Sequence, residues 1–167
     1  MDDFVGGRAA ADPGGAVKIT IGLVGCCKAK LAHAAPAREF YVSRLFQLSL
    51  EVAMKRCDVV YVISAEHALV PLDHVLAPYD KTMKDLAKEW RPIWGSRVWD
   101  AIAQRHPDVS RHIVLYAGKE YAEPILRAAP YGDRGATFEQ PLARMQIGQR
   151  LQHLTAASKV IHSRRRR

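Results

Sequence analysis

Three short apolar runs, rich in β-branched residues, punctuate the chain: Val17–Gly25, Val59–Ile63 and His112–Ala117. Runs of this length bounded by polar residues predict buried strands, the kind that fill parallel sheets. Thr137-Phe138-Glu139 predicts a shorter fourth strand. Between the strands the period changes. Leu45, Leu48, Ser49 and Val52 recur at helical spacing behind Ser43, a good N-cap, which predicts a helix over 44–56. Thr82 with Asp85 resembles a capping box and predicts a helix over roughly 83–105, kinked or split by Pro92. Trp90, Trp94, Val98 and Ile102 share one face of that segment and read as core. A further helix follows Gly118-Lys119-Glu120-Tyr121 and runs to about Ala128. After a Gly- and Pro-rich loop over 130–136, the run Pro141–Leu151 opens a last helix with Ile147, Leu151 and Leu154 on one face.

Strands alternating with helices predict a three-layer α/β domain around a parallel sheet, over residues 17–161. Residues 1–16, rich in Gly and Ala without periodicity, read as a flexible leader, and 162–167 as a basic tail. Gly22 inside the first strand predicts a close approach by another part of the backbone.

The polar residues then acquire a place. Three clusters, at 26–30, 64–67 and 118–121, each follow a predicted strand. In a parallel sheet they converge on one edge, where open α/β sheets bind ligands. Cys26, Lys28 and Lys30 offer a thiol and two ammonium groups; the two lysines suit an anion, or a solvated loop. The longest polar stretch, Ser64 to Asp80, contains Ser64, Glu66, His67, Tyr79 and Asp80. Gly118, Lys119 and Tyr121 close the set, with Arg38, Tyr41 and Ser43 feeding back toward it. Tyr41 is either a base-stacking ring or core.

Composition narrows the chemistry. With 49% apolar and 25% charged residues, the chain has the balance of a soluble globular protein. It shows no apolar stretch of the roughly 18 residues a membrane span needs and no secretory signal, so a cytoplasmic protein without membrane contact is expected. Three cysteines, two of them adjacent, form neither a disulfide framework nor a zinc spacing. Neither the P-loop nor the dinucleotide fingerprint occurs, which disfavours ATP and NAD chemistry. No metal or organic cofactor is expected. The net charge is +8, about half of it from Arg164–Arg167, which favours a nucleic-acid partner through phosphate attraction or serves solubility alone.

A basic cleft with carboxylates, a histidine and aromatic rings suits cleavage of an N-glycosidic bond, whose oxocarbenium-like transition state a fixed carboxylate stabilises. Asp80 is the first candidate carboxylate, Glu66 the second and Glu120 the third, with His67 contacting the base or leaving group. Asp80 alternatively contributes to capping the segment at Thr82. A Cys26–His67 nucleophile pair is the competing arrangement.

The series Cys26-x-Lys28, Pro36-Ala37-Arg38-x-x-Tyr41-x-Ser43-x-Leu45-Phe46, Ser64-Ala65-x-His67-x-Leu69 and Ala77-Pro78-Tyr79-Asp80, with Gly118-x-x-Tyr121 and Pro141-Leu142…Ile147-Gly148, resembles a bacterial family of small proteins. That family is similar in motif layout to the YaaA peroxide-stress proteins and the archaeosine synthase core. The resemblance spans roughly residues 20–154. It implies a uracil-DNA-glycosylase-like architecture with a central four-stranded, mainly parallel sheet between helices, and a nucleobase site at the strand ends. It also implies a DNA glycosylase for a modified base, such as glucosylated hydroxymethylcytosine in phage DNA, acting in anti-phage defence. On this reading Tyr41, Tyr79 or Tyr121 stacks on the flipped base, and Lys28, Lys30, Arg38 and Lys119 hold phosphate. The alternatives are a non-catalytic DNA-binding stress protein and a tRNA deazaguanine-modifying enzyme. Two departures stand out: relatives usually carry glycine where this chain has Ala68, and the water-activating and leucine-loop motifs of ordinary uracil excision are missing.

Overall fold

The strongest apolar runs become the middle of the sheet. In the computed structural model, which describes residues 17–129 and 136–164 (backbone only for 162–164), they form β1 (Lys18–Gly25), β3 (Val59–Ser64) and β6 (Ser110–Tyr116). The full sheet has five strands in the order β4-β3-β1-β6-β7, with β4 (Ala68–Pro71) and β7 (Ala136–Glu139) at its edges. All neighbours are parallel except β3 and β4. Gly25 lies opposite Ile63 and Val24 opposite Tyr116, so β1, β3 and β6 end together at one edge. A second ladder pairs β2 (Ala35–Pro36) with β5 (Val75–Leu76).

The helices are α1 (Ala37–Phe40), α2 (Arg44–Arg56), α3 (Arg91–Arg105), α4 (Lys119–Ala128) and α5 (Ile147–Arg164). Helix α2 packs on β1, β3 and β6 and against α5, whereas α3 pairs with α4 and also meets β4. Both contacts rest on a missing side chain. A Cβ on Gly22 would stand 3.0 Å from Cys57 Sγ and 3.3 Å from Ala53 Cβ, so side chains at the end of α2, not the backbone expected, press on β1 there. A Cβ on Gly95 would stand 2.3 Å from the Pro124 carbonyl oxygen, so α3 and α4 touch backbone to backbone.

Topology sets the site. The chain steps from β1 through α2 to β3 in one direction, then from β3 through α3 to β6 and through α4 to β7 in the other. Right-handed crossovers place these two sets of helices on opposite faces. The loops leaving β1 and β6 therefore diverge, and the crevice between these neighbours is the switch point of the sheet.

Several expectations need correction. The central sheet has five strands, not four, because Ala68-Leu69-Val70-Pro71 pairs antiparallel with β3 instead of continuing a loop. Leu69 and Val70 are buried there, and Pro71 is tolerated because β4 is an edge strand. The helix expected over 83–105 begins only at Arg91. Asp85 does accept from the Thr82 N–H (2.7 Å) and Oγ1 (2.8 Å), but this closes a turn, followed by a 3-10 turn at Lys88–Trp90. Pro92 neither kinks nor splits α3; it lies in the first turn, where a missing N–H costs nothing. Trp94, Val98 and Ile102 are core, but Trp90, ahead of the helix, is 59% exposed. The last helix starts at Ile147, inside the Pro141–Leu151 run, but Ile147 faces outward at 66% exposure instead of sharing the buried face with Leu154. Residues 162–164, assigned to the tail, continue α5. The leader 1–16, most of the loop 130–136 and Arg165–Arg167 lie outside the described residues.

Candidate functional site

Where β1 and β6 diverge, a cavity of about 860 Å³ opens. One side is built by the ends of the two strands, Gly25 to Lys28 and Tyr116 to Gly118. A second is the buried face of α2, with Leu45, Phe46 and Ser49. The third is the segment leading into α5, with Leu142, Met145 and Arg150, and Thr82 to Lys84 close the rim.

Three helices begin at this cavity, because each starts where a strand or crossover delivers the chain to that edge: α2 behind Ser43, α4 behind Gly118 and α5 at Ile147. Unpaired N–H groups and the dipole make helix N-termini favourable for anions. The Ser43 hydroxyl satisfies one of them, accepting from the Phe46 N–H at 3.1 Å. Gly118 caps α4 without a side chain, which leaves room: a Cβ there would lie 2.9 Å from a Glu120 carboxylate oxygen and 3.7 Å from an Arg150 guanidinium nitrogen. Lys28, Lys84 and Arg150 bring positive charge to the lining and Glu120 its one carboxylate. Arg150 is partly fixed by donating to the Met145 carbonyl (2.9 Å).

Next to this open volume lies a network of hydrogen-bonded side chains. The Ser64 hydroxyl accepts from the backbone N–H groups of Glu66 (3.2 Å) and His67 (3.1 Å) and lies 2.8 Å from the Tyr79 hydroxyl. Tyr79 in turn is 2.7 Å from the Tyr41 hydroxyl. With its lone pairs engaged by two N–H groups, Ser64 donates to Tyr79, and Tyr79 donates to Tyr41. Cys26 Sγ stands 3.1 Å from the Tyr121 hydroxyl, which also accepts from the Met83 N–H (3.2 Å). Burial, above all, and then the neighbouring Cys26 push Tyr79 up to about 12. Burial likewise holds Tyr41 and Tyr121 far above the usual phenol range, so all three rings keep their protons at neutral pH.

The structure distributes the sequence candidates among the cavity, the network and the surface. Cys26, Lys28, Ser43, Gly118 and Tyr121 line the cavity, as does Glu120. Ser64, Tyr79 and Tyr41 belong to the closed network, and Tyr41, 1% exposed and packed on Phe40 and Phe46, is core. Lys30 sits 4.6 Å over the Tyr79 ring and donates to the Lys81 carbonyl (3.4 Å), a brace rather than a cavity wall. Arg38 is paired with Asp73 at 2.7 Å, and Lys119, 79% exposed, with Glu123 at 3.4 Å. The three expected catalytic groups are not brought together in the cavity. Asp80 is exposed and outside its lining, and the turn it was expected to cap is capped by Asp85. Glu66 is exposed and paired with Lys81 at 2.9 Å, whose hydrogen bond holds its carboxyl below the usual range. His67 is exposed with its ring edge-on to Tyr79, centroids 5.1 Å apart, and Cys26 is partnered by Tyr121 rather than by His67.

Lys84, Arg150 and Ser49 were not singled out as site residues. Lys84 lies within the Thr82–Asp85 turn that was expected to open a helix, and Arg150 stands in the first turn of α5 within a run read for its apolar face. Ser49 looked like one more position of a core stripe. The three cysteines form no disulfide, and among the described residues no group of three His, Cys, Asp or Glu side chains could hold a metal ion. Nor is any described helix long and apolar enough to cross a membrane.

Residues 21–156, which contain every wall of the cavity and all of the sheet but the first three residues of β1, match a family of unknown function, DUF6884. The chain belongs to that family. Among curated proteins there is no significant match. The DUF6884 match begins inside β1 and ends inside α5.

Proposed function

We propose that this DUF6884 chain is an N-glycosidic hydrolase acting on nucleic acid, a DNA glycosylase for a modified base, with the cavity between β1 and β6 as its active site. The observation that carries this reading is the pairing, in one cavity, of three helix N-termini and Lys28, Lys84 and Arg150 with a single carboxylate, Glu120. The cationic rim suits phosphates flanking an extruded nucleotide, and the apolar depth suits a base taken out of the stack. The arrangement is compatible with a uracil-DNA-glycosylase-like architecture, in which the substrate enters at the carboxyl ends of parallel strands.

In this mechanism Glu120, rather than Asp80 or Glu66, opposes the positive charge that develops on the sugar. The C1′–N bond breaks and its electron pair leaves with the base. A water oxygen bonds to C1′, and the proton it releases passes to Glu120. The test is base release from unmodified, uracil-containing and hydroxymethylated or glucosylated DNA, read as free base by mass spectrometry and as alkali-labile sites. Release from one modified DNA, lost in Glu120→Gln, is the expected result. Absence of release from every DNA, with tight salt-sensitive binding, would replace this reading with that of a DNA-binding protein, and a preference for tRNA would favour a tRNA-modifying enzyme.

A further inference from the structure

The cavity is graded from rim to floor, and one group on its floor is unaccounted for. Helix α2 starts at the carboxyl edge of the sheet and runs back along it, so Ser49, five residues beyond Arg44, lies about 7 Å below the rim. The side chains that line the cavity at this depth or beside the strand ends are buried: Phe46, Ser49, Tyr116 and Leu142 are each 1–2% exposed. The Tyr116 hydroxyl is engaged, 3.4 Å from an Arg56 guanidinium nitrogen. The Ser49 hydroxyl has no hydrogen bond among the described residues. Every polar side-chain atom sealed inside the described protein is paired, so the unpaired Ser49 oxygen must open onto the cavity it lines. A hydroxyl in an apolar, otherwise satisfied surrounding costs free energy until something bonds to it.

We infer that Ser49 is the base-reading residue of this site: its hydroxyl on the apolar floor hydrogen-bonds the polar edge of a nucleobase whose phosphate rests at the rim against Lys28 and Arg150. This rests on the nucleic-acid reading of the cavity but not on hydrolysis. The volume accommodates a nucleoside monophosphate, being within the usual range for small-molecule sites. The division of labour is chemical. A rim of positive charge holds any nucleotide, whereas a lone donor-acceptor in apolar surroundings discriminates between base edges, because a mismatched edge leaves it unpaired.

Calorimetric titration of the full chain with the monophosphates of the four ordinary deoxynucleosides and of 5-hydroxymethyldeoxycytidine, with deoxyribose 5-phosphate as the base-free probe, tests this. The wild type is expected to rank the nucleotides. Ser49→Ala is expected to bind the preferred one about tenfold more weakly and to flatten the ranking, with affinity for deoxyribose 5-phosphate unchanged. A structural role for Ser49 would lower the melting temperature or all affinities together and would leave the ranking intact. An unchanged ranking in Ser49→Ala, or a wild type that ranks no bases, overturns the inference. Ranking without base release would instead leave the inference standing and overturn the hydrolase.

Discussion

Two polar regions lie side by side at the carboxyl edge of the sheet, one closed and one open. In the closed region Ser64, Tyr79, Tyr41, Tyr121 and Cys26 partner one another or backbone N–H groups, and burial keeps the phenols protonated. These bonds tie the ends of β1 and β3 to the segments 41, 79 and 83, so the network works as a clamp that fixes the loops. In the open region Ser49 has no hydrogen bond and Lys28 and Lys84 no ion pair among the described residues, and three helix N-termini face the cavity. Motif residues occur in both, with Cys26 and Tyr121 shared between them, and the unspent chemistry lies in the second. Polar residues that satisfy one another stabilise; those left unsatisfied around a cavity bind.

Substitutions on the two sides should behave differently, which allows the comparison to be broken. The largest effect is expected at the cavity carboxylate. Glu120→Gln should lower base release by about 100-fold or more with DNA affinity retained, whereas Asp80→Asn and Glu66→Gln should stay within about threefold of wild type. An inactive Asp80→Asn with active Glu120→Gln, measured by single-turnover release, would move the reaction out of the cavity.

On the closed side the effect should fall on stability. Tyr79→Phe removes the hydroxyl between Ser64 and Tyr41 and should cost about 1–3 kcal/mol in urea unfolding, while nucleotide affinity changes little. The sign of its pH dependence follows from the raised Tyr79 value of about 12. The contribution of the protonated phenol is fully present below the ordinary tyrosine range near pH 10 and is lost as pH rises toward 12. Alkaline unfolding curves of Tyr79→Phe should therefore be flatter than those of the wild type in that window.

A smaller effect, of opposite sign, is expected at the turn between β3 and β4. Ala68 takes the left-handed conformation, φ 57°, that favours glycine. The turn thus carries the strain of a Cβ where the backbone suits glycine. Ala68→Gly should stabilise by about 1 kcal/mol, raising the melting temperature by about 2–4 °C. The smallest effect belongs to the exposed Glu66–Lys81 pair. Its lowered carboxyl value means that any contribution exists above the ordinary carboxylate range and is lost as pH falls through it. Solvent screening keeps it below about 0.5 kcal/mol, so Glu66→Gln should melt like the wild type in high salt.

How far the sequence reached depended on the range of the forces involved. Helix α2 was legible to the residue, because Ser43 and the apolar spacing are local signals within one element. The central strands were legible because burial on both faces writes a continuous apolar run. Strand β4 was not, since Ala68-Leu69-Val70-Pro71 owes its state to pairing with β3 at an edge rather than to propensity. Pro92 was misjudged because the same residue breaks a helix in its interior and starts one in its first turn, and only the 3-10 turn before it decided which. The candidate site divides in the same way. Sequence placed the polar clusters at the ends of parallel strands, since alternating strands and helices dictate that geometry. Which of those residues share a cavity, and which bond to one another, was settled by strand order. Because β1 and β6 send their chains to opposite faces, Glu120, Arg150 and Ser49, distant from one another in sequence, come to surround a single volume.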